Sequence, residues 1–191
     1  KFIKIKLKKV LTNSHWYDII IIERERTLKG KELKIMMKVN EEVKVLVFDM
    51  DGTLVDLYGV ENWLADLRSF NPRPYQLAKP MYDVELLNAI LLGLKACGWR
   101  IAVTSWLSKE SNAEYDSLVR VAKMDSLNRM KFPFDEVHLV KYGTTKANCT
   151  RKLGGYQVLV DDNEQVRNGW TLGGTINPVE ENIIEVLKGL L

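Results

Sequence analysis

VLVFDMDGTLVD, residues 45–56, joins an unbroken apolar run to two carboxylates one residue apart. Val45, Leu46, Val47 and Phe48 make the short β-rich block expected of a parallel strand buried on both faces, and such a strand delivers its next residues into the crevice at its carboxyl end. Asp49 and Asp51 fall there. Gly52 permits a tight backbone path, so that amide N–H groups of the turn, those of Gly52 and Thr53, can point at an anion. Two close carboxylates repel, so one keeps a proton or a cation holds both. Asp and Gly also favour turns with no chemistry in them, but the abrupt change from four apolar residues to paired acids reads as a reaction centre on a strand end.

Two later runs end in the same manner. RIAVTS, residues 100–105, closes on the hydroxyls of Thr104 and Ser105, and YQVLVDD, residues 156–162, closes on Asp161 and Asp162. Between them Thr144, Thr145 and Lys146 open a helical segment, in which a threonine can cap the helix and Lys146 sits in the first turn. A lysine there gains nothing from the helix dipole, so its purpose is to meet an anion. Lys141 is a weaker competitor for that role.

In these residues the chain resembles the haloacid dehalogenase-like superfamily, most of whose members are Mg²⁺-dependent phosphatases. DMDGT (Asp49 to Thr53) resembles its first motif, Thr104 the second, Lys146 the third and the Asp161–Asp162 pair the fourth, from about Val43 to near the C-terminus. The resemblance implies Asp162 as the direct metal ligand, with Asp161 behind it or bound through water.

Chemistry argues for the same roles. Phosphate monoesters hydrolyse very slowly unaided, so an enzyme must position a nucleophile, neutralise the phosphoryl oxygens and protonate the leaving alcohol. Asp49 suits the nucleophile, giving an aspartyl phosphate, and Asp51 the acid and later the base. Mg²⁺ prefers hard oxygen ligands, which Asp49, the backbone carbonyl of Asp51 and the acidic pair would supply. Thr104 and Lys146 would hold the transferring phosphoryl group.

At 191 residues, 46% hydrophobic and 28% charged, the chain can bury one good core but scarcely two. No apolar run approaches membrane-spanning length. Cys97 and Cys149 fit no metal spacing and make no disulfide framework, so a reduced cytoplasm is the expected home. Charge divides the chain: residues 1–40 hold 11 Lys+Arg against 4 Asp+Glu, a net of +7, which leaves −4 for the remainder of a chain at +3. Ile3 to Lys8 alternates like an amphipathic strand and Ile19 to Ile22 is a second apolar patch, which suits a nucleic-acid-binding arm or an added edge strand. The favoured expectation is different. Met36 and Met37 stand just before the first strand of the core, and Lys31–Glu32 is encodable as AAG-GAG, a ribosome-binding sequence, so residues 1–35 read as translated upstream sequence.

The core, 41–191, is expected to be an α/β doubly wound parallel, Rossmann-like sheet of about five strands. Helices are expected over Gly59 to Ser69, Val84 to Ala96, Ser111 to Met130 and Thr145 to Leu153. A proline-punctuated loop spans Asn71 to Pro80, and a final helix, capped at Asn177–Pro178, carries Ile183, Ile184, Leu187 and Leu190. The superfamily's cap domains enter after the first motif or between the second and third, and neither gap has room for a large one. The site should therefore be open, lined by Tyr58, Trp63, Ser105, Trp106 and Arg73, although Trp63 reads first as core.

Three function classes follow. A phosphatase of small phosphorylated substrates, above all nucleotides, comes first, because TSW and the Lys146-to-VDD spacing resemble deoxyribonucleotidases. A 3′-phosphatase of nucleic-acid ends comes second, because DDNEQVRNGW is similar to the phosphatase half of polynucleotide kinase-phosphatases. A non-catalytic interaction module comes third, opposed by the intact set Asp49, Asp51, Thr104, Lys146 and Asp162.

Overall fold

A computed structural model describes residues 3–12, 15–24, 35–37 and 43–191, in two compact units, Lys1–Glu42 and Val43–Leu191. In the first, β1 (Ile3–Thr12) and β2 (His15–Arg24) pair antiparallel, and β3 (Ile35–Met37) adds to β2 with Met36 opposite Ile21. The alternating stretch from Ile3 is thus a strand, in a three-stranded sheet of its own. Met36 and Met37 lie inside β3, and Lys31–Glu32 lies outside the described residues.

The second unit runs β4 (Lys44–Phe48), β5 (Val55–Asp56), α1 (Trp63–Arg68), α2 (Arg73–Leu77), β6 (Lys79–Pro80), α3 (Val84–Ala96), β7 (Trp99–Trp106), α4 (Ala113–Met130), β8 (Glu136–Val140), α5 (Lys146–Thr150) with a 3-10 turn at Arg151–Leu153, β9 (Tyr156–Val160), α6 (Glu164–Asn168), β10 (Thr175–Ile176) and α7 (Ile183–Lys188). Its sheet has the order β10-β9-β4-β7-β8, with every pairing parallel. The chain steps from β4 outward through β7 to β8, then returns to the other side of β4 as β9. Neighbouring strands β4 and β9 therefore leave in opposite directions, and the crevice of a doubly wound sheet opens at their carboxyl ends.

Alternation along β4 serves two cores. Leu46 and Phe48 pack with Leu87, Leu91, Val119 and Leu187 from α3, α4 and α7. Val45 and Val47 pack with Ala147, Leu159 and Trp170 on the other face. Both faces are covered, which is why the strand is apolar without interruption. Asp83, Asn112, Asn163 and Asn182 cap α3, α4, α6 and α7 through their side chains. No helix of the described residues is long and apolar enough to cross a membrane.

Several expected boundaries move, each for a local reason. The expected loop from Asn71 to Pro80 contains α2, because Pro74 stands in the first turn, where a missing N–H costs nothing, and the Asn71 side chain accepts from the Arg73 amide. Lys79–Pro80 then pairs antiparallel with Val55–Asp56 in a small two-stranded ribbon. The helix expected from Gly59 begins only at Trp63, since Asp56 Oδ1 accepts from the Gly59 amide and Asn62 turns left-handed at φ 59°. The last helix starts after Asn182, while Asn177 Oδ1 accepts from the Val179 amide in a preceding turn. Thr145 occupies the N-cap of α5, but its hydroxyl caps nothing.

Candidate active site at the carboxyl edge of the sheet

The Asp49 amide donates to the Val160 carbonyl at 2.9 Å, fastening the end of β4 to β9. The chain then turns sharply: the Met50 carbonyl accepts from Thr53, Leu54 and Val55. Gly52 sits at φ 74°, where a Cβ would stand 2.5 Å from Asp162 Oδ2 and 2.7 Å from the Tyr58 ring. Only glycine lets the first turn approach the acidic pair this closely.

Lys146, at the start of α5, is 3% exposed and lies between two carboxylates, 2.7 Å from Asp161 Oδ2 and 2.8 Å from Asp49 Oδ1. The Asp49 contact is one of charge, off the hydrogen-bond direction, and Asp49 Oδ1 keeps no hydrogen-bond partner. Burial alone would lower the Lys146 ammonium, but Asp49 and Asp161 outweigh it and hold it above its usual value. The competing Lys141 is exposed.

Carboxylate oxygens of Asp49, Asp161 and Asp162 lie within 4.8 Å of one another. Burial, helped by the charge of Asp49, pushes Asp161 and Asp162 up to about 6. Such a cluster wants protons or a cation. The donors are three clustered hard carboxylate oxygens, so the residues fit a divalent ion such as Mg²⁺. Both Asp161 oxygens are engaged, Oδ2 by Lys146 and Oδ1 by the Asn163 amide at 2.9 Å. Arg167 clamps this strand end, donating to the carbonyls of Asp161 and Asp162 at 2.8 and 2.7 Å.

Asp51 stands apart from that cluster. Its Oδ2 accepts from Lys123 Nζ of α4 at 2.5 Å, and its Oδ1 is buried without a partner. Burial raises the Asp51 carboxyl against the pull of Lys123. Thr104, on β7, is fully buried, and its hydroxyl has no partner among the described residues.

A cleft of about 370 Å³ opens over Asp49, Asp51, Lys146 and Asp162. One wall carries Tyr58 and Trp63, packed edge to face with ring centres 5.0 Å apart. The other carries Trp106 and Tyr142, tilted at 4.8 Å. Trp106 donates from Nε1 to the Thr144 carbonyl at 2.7 Å and its ring lies 5.1 Å from Lys146 Nζ.

Four expectations need correction. Ser105 is fully buried and bonded to Lys123 at 2.9 Å, so it does not face the cleft. The Gly52 amide donates to the Val55 carbonyl and the Thr53 amide to that of Met50, so neither is free for an anion, and Thr53 Oγ1 instead accepts from the Asp162 amide at 3.2 Å. Arg73 pairs with Asp66 at 2.6 Å and with the Glu61 carbonyl, while Arg68 lines the cleft. Trp63 is a half-buried wall residue rather than core. Sequence reasoning missed Lys123 and Tyr142. Lys123 carried one signal: it falls at helical spacing with Tyr115, Val119, Ser126, Leu127 and Met130, a cation on a core-facing stripe.

No family model matches the chain, and no curated protein does either. Among solved structures it is similar to the HAD domain of effector protein Lem4 from Legionella pneumophila, at 14% identity and a TM-score of 0.41, over 78% of this chain and 94% of that one. A likeness that distant says nothing of chemistry.

Proposed function

We propose that residues 43–191 form a Mg²⁺-dependent phosphomonoester hydrolase of the haloacid dehalogenase-like type, acting on a nucleotide or another small phosphate ester. One observation carries the reading: Asp49, Asp51, Lys146 and Asp162 line a single cleft, Asp161 lies buried beside Asp49 and Asp162, and Asp51 Oδ1 and Thr104 Oγ1, at the ends of the same strands, are buried with nothing to bond. Buried polar groups are rarely left unpaired, and a phosphoryl group with a leaving alcohol would pair both.

Asp49 and Asp162, with the Asp51 carbonyl, would hold the ion, while Asp161 orients Lys146. Bound there, Mg²⁺ would neutralise phosphoryl charge. A carboxylate oxygen of Asp49 attacks phosphorus as the ester P–O bond breaks, and Asp51 gives its proton to the departing alkoxide. Water then attacks the aspartyl phosphate, its proton passing to Asp51, and the P–O bond to Asp49 breaks to release phosphate. Thr104 and Lys146 hold the phosphoryl oxygens throughout. Tyr58 and Trp106, joined by Tyr142, suit a flat base above the phosphate, since each base–aromatic stack is worth about 1–3 kcal/mol. The net charge of −4 beyond residue 40 offers no broad basic track for a polynucleotide.

Phosphate release from deoxynucleoside monophosphates and sugar phosphates tests the reading. Turnover should require Mg²⁺, and Asp49→Asn, shown folded by circular dichroism, should lose at least about 10³-fold in kcat. An Asp49→Asn protein as fast as wild type would sink it.

A further inference from the structure

Lys123 is a buried lysine that the chemistry above does not use. It projects from the middle of α4, 72 positions along the chain from Asp51, and is 1% exposed. An ammonium has three N–H groups. Each finds an acceptor: Asp51 Oδ2 at 2.5 Å, Ser105 Oγ at 2.9 Å and the Trp106 carbonyl at 2.8 Å. The Tyr75 ring packs beside it, its centre 5.0 Å from Nζ. Two of these acceptors belong to the end of β7 and the third to the turn after β4, so the ammonium ties those two strand ends together. Burying a lysine is costly, and leaving out any one acceptor would make it costlier.

The consequence for Asp51 is geometric. A carboxyl group rotates freely about its Cβ–Cγ bond unless something holds it, and here one oxygen is held. Oδ2 is committed to Lys123, and Oδ1 is the buried atom without a partner. A carboxyl whose Oδ2 accepts an N–H bond carries its proton on Oδ1.

We infer that Lys123 is a positioning residue: it holds the Asp51 carboxyl through Oδ2 in one orientation, which leaves Oδ1, the unpaired oxygen, as the one to carry the proton for the leaving-group oxygen. This rests on the phosphatase reading. In the first step the ester P–O bond breaks, its electron pair stays on the departing oxygen, and that oxygen takes the Oδ1 proton, leaving Asp51 as a carboxylate still held through Oδ2. Lys123 touches neither substrate nor phosphorus. Ser105 and the Trp106 carbonyl hold the ammonium in place, which assigns Ser105 a use that its burial denies it as a substrate contact.

The test compares two esters on Lys123→Met. A deoxynucleoside monophosphate has a strongly basic leaving oxygen that needs the proton. p-Nitrophenyl phosphate scarcely needs it. Because kcat/KM reports events up to the first irreversible step, it isolates leaving-group departure from the later attack of water. For Lys123→Met, kcat/KM should fall about 10²-fold on the nucleotide and less than about 5-fold on the nitrophenyl ester, within the usual worth of general acid catalysis. In an Asp51→Asn background the same substitution should leave the ratio of the two esters unchanged. Equal losses on both esters, or a change of ratio that persists without the Asp51 acid, would overturn the inference and leave Lys123 a packing residue. If Lys123→Met does not fold, Ser105→Ala removes one anchor and should shift the ratio in the same direction by roughly 3-fold or more; no shift there counts against the inference. Wild-type protein inactive on both esters would instead bring down the phosphatase reading.

Discussion

The floor and the rim of the cleft are built on opposite principles. At the floor and just beneath it, Asp49, Thr104, Lys146 and Asp161 are between 0% and 7% exposed, and ion pairs or caps hold the charged ones. On the rim, Tyr58 is 49% and Tyr142 48% exposed, and each meets its neighbour mainly through ring contact. A buried charge has few tolerable positions, because every unmatched partner is penalised in a medium that screens poorly. An exposed ring has many. The floor should therefore tolerate almost no substitution, while the rim should trade one specificity for another.

Substitutions can break that contrast. After the loss of the Asp49 nucleophile itself, the largest effect is expected from Gly52→Ala, which puts a Cβ 2.5 Å from Asp162 Oδ2 on a left-handed backbone. Displacing a cluster carboxylate by an ångström should lower kcat/KM by about 10²-fold, and a Mg²⁺ titration should show the midpoint moving to higher concentration. Unchanged kinetics would mean that the floor is looser than its geometry suggests.

At the rim the effect is expected to depend on the substrate, and to be smaller over most of its range. Trp106→Ala should cut kcat/KM for a deoxynucleoside monophosphate by roughly 5- to 150-fold, the range that a lost base stack implies, and hardly alter that for a sugar phosphate. Equal losses would show that Trp106 works through its bond to Thr144. Wild-type preference for a 3′-phosphorylated oligonucleotide, with steep salt dependence, would replace the small substrate with a nucleic-acid end.

The smallest effect concerns stability. Asp161 and Asp162 are raised by burial to about 6 from an ordinary 3.8. Between those values the folded chain binds more protons than the unfolded one, so without divalent cation their contribution weakens as the pH climbs through that window. Asp135 and Glu136 are held low and act in the opposite direction. The readout is therefore a difference: melting temperature from pH 4 to 7 should decline more steeply for wild type than for Asp162→Asn, and Mg²⁺ should remove the decline. Parallel curves would show that the acidic cluster is not under strain.

The contrast also separates what could be read early from what could not. Three strand ends bearing Asp49 and Asp51, Thr104, and Asp161 and Asp162 are legible because a buried parallel strand is continuous in sequence and its chemistry follows within a residue or two. Lys146 is legible because it sits in the first turn of a helix, where a cation lacks a local reason. Gly52 and Thr53 misled because a turn's amides can satisfy one another, and only the folded path shows that they do. Ser105 misled because adjacent residues of a strand face opposite ways, and Ser105, unlike a substrate contact, turns inward to Lys123.

The sequence by itself determined the doubly wound sheet, the strand at its centre and the acids at its carboxyl edge, all properties of short continuous segments whose pattern matches their burial. Tertiary structure alone decided which lysine serves which carboxylate, that Tyr142 completes a wall with Trp106, and that α2 stands where prolines suggested a loop. Those are pairings between residues tens of positions apart. Their free energy depends on distance and on the exclusion of water, neither of which is written in the order of the chain.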